Sequence, residues 1–267
     1  MKQKLPDFDA ATIGIAGKVA LITGGGRNIG RAVALTLAGA GALPVVLYHE
    51  DKKTAQAVCE EITAGGGRAG LVQADIGDIA QCQAAVKKVA AEFGDIDILI
   101  NNAAIRPHSK ISQITPAEWD RVMAVNLRAP FFLSQAVLPA MVKKQWGRII
   151  NIGGSDGYNG KPRRAHGVST KMGLVGLTRA LANETALFGI TVNIVVPGTI
   201  DTQRPHPEWY PDMQKAFAQR TTRIAIGRLG KSQEVANACL FLASNLANYT
   251  TGQEMFVTGG EIGRAHV

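Results

Sequence analysis

Thr23-Gly24-Gly25-Gly26-Arg27-Asn28-Ile29-Gly30 is the stretch on which the reading of this chain turns. It follows Lys18-Val19-Ala20-Leu21-Ile22-Thr23, a short apolar run of the kind buried on both faces of a sheet. It opens a helical stretch over residues 29–40. Glycines at such a joint permit a tight turn and let backbone N–H groups approach a pyrophosphate. The helix N-terminus adds a field that favours the anion. A bare glycine cluster would be only a flexible turn, but a strand–glycine–helix joint that opens a βαβ unit is a phosphate-loop pattern.

Outward from the loop the alternation continues. Apolar strands are expected at 45–48, 70–73, 96–100, 147–152, 191–196 and 254–257, with helices at 53–64, 78–92, 116–144, 168–187 and 232–243. Pro116 sits near the first turn of the long helix, and Pro130 and Pro139 predict irregularity within it. Apolar strands alternating with helices imply an α/β fold, a Rossmann-type doubly wound parallel sheet of seven strands with helices on both faces. No composition shift marks a linker. The reading is one domain over residues 17–267, preceded by a flexible arm at 1–16 and carrying a polar, proline-rich insertion at 201–224.

The 267 residues are 46% hydrophobic and 19% charged, which suits one large α/β domain and excludes bulk disorder. Cys59, Cys82 and Cys239 are widely spaced without a CxxC pair, so they read as buried thiols and no metal site is expected. The net charge of +8 is compatible with nucleic acid, membrane surfaces or anionic small molecules. No basic stripe interleaved with aromatics supports nucleic acid. No window approaches the roughly 20 apolar residues of a membrane span, and residues 1–16 lack the apolar core of a signal peptide. The expected location is the cytoplasm.

Further stretches stand at strand ends and on helices: Gln73-Ala74-Asp75-Ile76, Asn101-Asn102-Ala103-Ala104, Val125-Asn126-Leu127, Ser169-Thr170-Lys171-Met172-Gly173 and Pro197-Gly198-Thr199-Ile200-Asp201-Thr202. Together with the glycine loop, in this order over residues 17–260, they resemble the short-chain dehydrogenase/reductase family. The loop resembles the family's T-G-x-x-x-G-x-G with Asn28 in place of the middle glycine; Asn tolerates left-handed backbone angles, so the turn is expected to survive. The resemblance implies a nicotinamide dinucleotide. Thr23, Gly24, Gly26, Arg27, Asn28, Ile29 and Gly30 would surround its phosphates, and Asp75 and Ile76 its adenine. Asn102 and Ala103 would line the cleft, Lys171 would hold a ribose, and Pro197, Gly198, Thr199, Ile200 and Thr202 would lie by the nicotinamide.

Cofactor choice follows from charge. An acid at the end of the second strand would bind the ribose hydroxyls of NAD and repel a 2′-phosphate. Tyr48 and His49 stand there instead, and Arg27 can pair with the phosphate. NADP(H) is favoured over NAD(H), although Glu50 and Asp51 lie close by.

The family's catalytic pattern is broken. It needs a Tyr four residues before the Lys, a Ser and an Asn. Asn126 and Lys171 match, but counting back from Lys171 gives Gly167, and the serine position, thirteen residues earlier, is Gly154. Three neighbours are candidate substitutes: Ser155, Tyr158 and His166. If the chain is still extended at Ser155, a one-residue shift turns it to the opposite face. His166 has a suitable pKa range but can reach Lys171 only if the helix starts after it. Tyr158 lies in the intervening loop. Arg106, His108, the run Lys161-Pro162-Arg163-Arg164-Ala165-His166, Arg204 and His206 would ring the mouth with positive charge. That suggests an anionic small molecule or a CoA ester, or simply a solvated basic rim.

The favoured function is an NADP(H)-dependent oxidoreductase that transfers hydride to a carbonyl or conjugated C=C, with a non-standard proton donor. A lyase or isomerase on the same fold and a catalytically silent dinucleotide-binding protein are the alternatives. The helices at 116–144 and 168–187 and the last strand with Val257-Thr258-Gly259-Gly260 resemble the surfaces through which the family forms homodimers and homotetramers.

Overall fold

The computed structural model describes residues 10–202 and 221–261. In chain order its strands are β1 Val19–Thr23, β2 Leu43–Tyr48, β3 Gly70–Gln73, β4 Ile98–Asn101, β5 Gly147–Ile152, β6 Ile190–Pro197, the short pair β7 Ile200–Asp201 and β8 Gly230–Lys231, and β9 Glu254–Val257. The main sheet is parallel and seven-stranded, ordered β3-β2-β1-β4-β5-β6-β9. β1, β4, β5 and β6 are buried at every position, which is why their sequences are largely apolar rather than alternating, with Arg148, Asn151 and Asn193 among the buried polar exceptions.

The helices are α1 Ala10–Ile13, α2 Asn28–Gly39, α3 Lys52–Ala64, α4 Ile79–Phe93, α5 Pro116–Met123, α6 Ala129–Lys144, α7 Asp156–Asn159, α8 Ala165–Thr185 and α9 Ser232–Ala243. Successive strand residues point to opposite faces, and two cores follow. Ile22, Val46, Ile100 and Ile150 pack with Val33 and Leu37 of α2, Val58 of α3 and Val235 of α9. Leu21, Val45, Leu99 and Ile149 pack with Val89 of α4, Leu133 and Met141 of α6 and Leu181 of α8. Each fully buried side chain of this size stabilises the fold by about 1.5–3 kcal/mol relative to exposure.

Three details differ from the sequence reading. First, β2 begins at Leu43, two residues earlier than expected, and runs through Pro44. Leu43 donates its N–H to Lys18 O, so position 44 faces β3, whose pairing starts only at Val45↔Gly70. The missing proline N–H therefore breaks no ladder bond. Second, the expected helix 116–144 is two helices joined by a π-helical turn, Ala124–Arg128. Ala129 donates to Ala124 O, five residues back, and Pro130 has no N–H for the carbonyl of Asn126. Third, α8 starts at Ala165, three residues before the expected start, and Ile15, assigned to the arm, is fully buried. Among the described residues no helix is long and apolar enough to cross a membrane.

Candidate functional site

Strand order reverses between β1 and β4, so the loops at their carboxyl ends leave toward opposite faces and open a crevice. The two loops are stitched together across it. Thr23 Oγ1 accepts from the N–H groups of Asn102 (2.9 Å) and Ala103 (3.0 Å), and Asn102 Nδ2 donates to the carbonyls of Thr23 (2.9 Å) and Gly24 (3.1 Å). Asn102→Ala removes both side-chain bonds; a loss of about 1–3 kcal/mol of stability is expected, read in the denaturation midpoint.

Asn28 takes φ 49°, the left-handed geometry anticipated for it, and Gly24 takes φ 64°. A Cβ on Gly30 would collide with the carbonyl oxygen of Gly24 and come within 2.6 Å of Asn102 Nδ2; on Gly26 it would lie 3.0 Å from Ala55 N. The loop is therefore packed so tightly that its backbone forms its surface. Helices α3, α4 and α5 are capped by the side chains of Asp51, Asp78 and Thr115, whereas no side chain caps α2 at Arg27. An uncapped N-terminus at a cleft fits a phosphate ligand. The chain's own residues thus suit the pyrophosphate of a dinucleotide.

On the adenosine side, Tyr48 Oη donates to Gln73 Oε1 (3.4 Å), and Gln73 Nε2 donates to His49 O (2.9 Å). His49 lies 3.6 Å from Glu50 and 3.8 Å from Asp75. Burial raises the Asp75 carboxyl, but the paired bonds from Arg121 (2.9 and 3.0 Å) and the Gly77 N–H outweigh it and hold the group below its ordinary value. Ile76 is buried beside it. Asp51 accepts the Thr54 N–H, which, with a smaller contribution from Arg27, keeps it ionised.

On the nicotinamide side, Pro197 O accepts from Ser155 N–H, and Gly198 N–H donates to Val257 O. Thr199 gives Glu261 both its N–H (2.7 Å) and its hydroxyl (3.0 Å). Thr202 Oγ1 donates to Ile200 O (3.4 Å). Glu261 was not singled out from sequence; as an acid after V-T-G-G it carries no pattern of its own.

At the cleft floor, Asn126 is buried in the π turn. Its amide holds Ile105 from both sides, Oδ1 accepting the N–H and Nδ2 donating to the carbonyl, each at 2.9 Å. Lys171 Nζ donates to Ile152 O at 2.6 Å. Burial first, then Arg106, push its ammonium down to about 7, against the pull of Asp156. A Cβ on Gly167 would meet no atom within 4 Å, and one on Gly154 only Lys171 Cγ at 4.0 Å.

Of the three candidate substitutes, Ser155 stays beside the 197–202 stretch, whereas Tyr158 and His166 are engaged by other partners. Ser155 is not extended (φ −59°, ψ −26°), so the opposite-face argument does not apply to it. Tyr158 sits in α7, with its hydroxyl on Glu254 and its ring against Phe256. His166 is inside α8 and fully buried; its Nδ1 accepts from Gly167 N–H and its Nε2 lies 2.8 Å from Glu118, which also accepts from Ser109 (2.6 Å). Those bonds, Ser109's first, hold Glu118 below the usual carboxylate range. The basic run is partly neutralised: Arg164 contacts Asp156 (2.7 Å) and His108 (2.5 Å), and Lys161 lies 3.7 Å from Asp156. Arg204 and His206 lie outside the described residues.

The fold and crevice define a dinucleotide-binding α/β protein. Residues 24–261 match a family model described as enoyl-(acyl carrier protein) reductase. The chain is 42% identical over 249 residues to the 3-oxoacyl-[acyl-carrier-protein] reductase FabG of Escherichia coli K12, covering 91% of this chain and 97% of that protein. It is 40% identical over 248 residues to the Staphylococcus aureus Mu50 protein of the same name, with the same coverage. Among solved structures it resembles a candidate NAD(P)-dependent gluconate 5-dehydrogenase from Beutenbergia cavernae with NADP bound at low occupancy (TM-score 0.88, 34% identity, 95% of this chain and 100% of that one). It also resembles a candidate short-chain alcohol dehydrogenase from Sinorhizobium meliloti 1021 (TM-score 0.90, 31% identity, 95% and 100%). The chain belongs to the short-chain dehydrogenase/reductase family and is an oxidoreductase of that type.

Proposed function

We propose that this chain is an NADP(H)-dependent reductase acting on a carbonyl or conjugated C=C of a small anionic substrate, without the family's tyrosine and serine. The observation that carries the reading is the tight, uncapped phosphate loop, bonded across the crevice to Asn102 and Ala103, together with Lys171 held on Ile152 O and Asn126 on Ile105. The bound dinucleotide would supply the hydride. Thr23, Gly24, Gly26, Arg27, Asn28, Ile29 and Gly30 would hold its phosphates, Lys171 a ribose, and the 197–202 stretch its carboxamide end. Asn126 fixes Ile105 and so the wall that faces the substrate. Arg106 sits near enough to Lys171 to depress its ammonium, and that paired positive charge supports an anionic substrate. Exposed Phe131 and Met172 on α6 and α8 and Phe256 on β9 support a homodimer or homotetramer. A cytoplasmic location remains part of this proposal.

NADP(H) preference is supported by Arg27 beside the loop, Tyr48 at the end of β2 and an Asp51 already committed to capping α3. Arg27→Glu is expected to weaken NADPH binding about 10–100-fold while leaving NADH within a few-fold. Parallel fluorescence titrations check it; equal loss for both nucleotides would contradict a role at the 2′-phosphate.

A further inference from the structure

We propose that Lys171 itself is the proton donor, giving its ammonium proton directly to the substrate atom that becomes negative; this rests on the reductase reading above. Lys171 reaches the floor of the cleft and is held there by the Ile152 carbonyl. The two positions that would interpose an acid between it and a substrate, Gly154 and Gly167, carry no side chain, and both face space. Gly157 lies against the base of Lys171, where an added Cβ would come 3.3 Å from Lys171 Cβ. Two of the three alternatives are occupied, Tyr158 on Glu254 and His166 on Glu118 and Gly167; the third, Ser155, carries a hydroxyl too weakly acidic to protonate an alkoxide or enolate without a base or ammonium behind it.

The bound dinucleotide would supply the hydride for the new C–H bond and be left oxidised, and the substrate π pair would move to the carbonyl oxygen or, in a conjugated alkene, to the far carbon. The Lys171 N–H bond breaks, its proton closes the O–H or C–H bond, and the neutral amine is reprotonated by water. Arg106 from the loop after β4 and Asp156 from α7 face the ammonium, with Arg164 and Lys161 in turn on Asp156. The burial and the Arg106 charge that make this ammonium a poor cation also make it a usable acid near neutrality.

The test is Lys171→Arg in the intact chain. The guanidinium keeps the charge for the ribose but holds its proton. NADPH affinity is expected to stay within a few-fold, while single-turnover NADPH oxidation falls about a hundredfold or more. In wild type the rate should fall as pH rises through the amine's pKa. Independently of activity, Lys171 acetylation in nucleotide-free protein, followed by mass spectrometry, should rise through about pH 7. Lys171→Cys alkylated with bromoethylamine restores an ammonium and should recover turnover, which guards against a misfolded arginine variant. Turnover of Lys171→Arg close to wild type with an unchanged pH profile, or acetylation with the pH dependence of an ordinary lysine, would overturn the proposal and leave Lys171 as a ribose ligand. NADPH bound but oxidised by no ketone, enone or enoyl thioester in wild type would instead sink the reductase reading, and this proposal with it.

Discussion

Gly154→Ser combined with Gly167→Tyr is expected to raise NADPH-dependent reduction of simple ketones about 10²–10⁴-fold, the range of a positioned general acid. Both side chains have room: a Cβ at Gly167 meets nothing within 4 Å, and at Gly154 only Lys171 Cγ at 4.0 Å. Gly167 is the third residue of α8, so a tyrosine there shares a helix face with Lys171 one turn later. The nearby ammonium would lower the phenol pKa. Replacing a helical glycine adds up to about 0.5 kcal/mol of helix propensity, so the melting temperature should not drop. Steady-state kinetics of the double variant against wild type read the outcome. A stable double variant with no gain on any ketone would show that the two glycines do not occupy the positions of the family's serine and tyrosine.

The second large effect concerns the phosphate loop. Gly30→Val is expected to weaken NADPH and NADH alike by about a hundredfold or more, roughly 2.7 kcal/mol. Its Cβ would run into the Gly24 carbonyl and Asn102 Nδ2, and neither can move without opening the bonds that join the β1 and β4 loops. Gly30 lies in the first turn of α2, whose buried face (Ala32, Val33, Leu37) is untouched, so far-ultraviolet dichroism should be nearly unchanged. Binding within a few-fold of wild type would mean that the turn relaxes, and that its close packing does not form the ligand surface.

The sheet was legible because strands buried on both faces leave largely apolar runs, and because the glycine loop fixes where the first βαβ unit begins. Asn28 was legible for a local reason: few residues other than glycine accept φ 49°. Where side chains act at long range the sequence was silent. His166 is five residues from Lys171 and looks like a neighbour of the chemistry, yet its partner, Glu118, is 48 residues away and turns it to α5. Tyr158 is claimed by Glu254 on a strand 96 residues on. The π turn was half legible: the prolines signalled irregularity, but only the geometry shows it centred on Asn126 rather than on Pro130 or Pro139. The early start of β2 was not legible, since whether a strand tolerates Pro44 depends on where the neighbouring strand starts.

The most direct test of the account is a fluorescence titration of nucleotide-stripped protein with NADPH and NADH, followed by nicotinamide absorbance with ketones, enones and enoyl thioesters. The account predicts saturable binding with NADPH the tighter ligand, and oxidation by at least one of these classes. Absence of binding to either nucleotide would contradict it at its base, and would point to Asn28 as the residue that closes the loop.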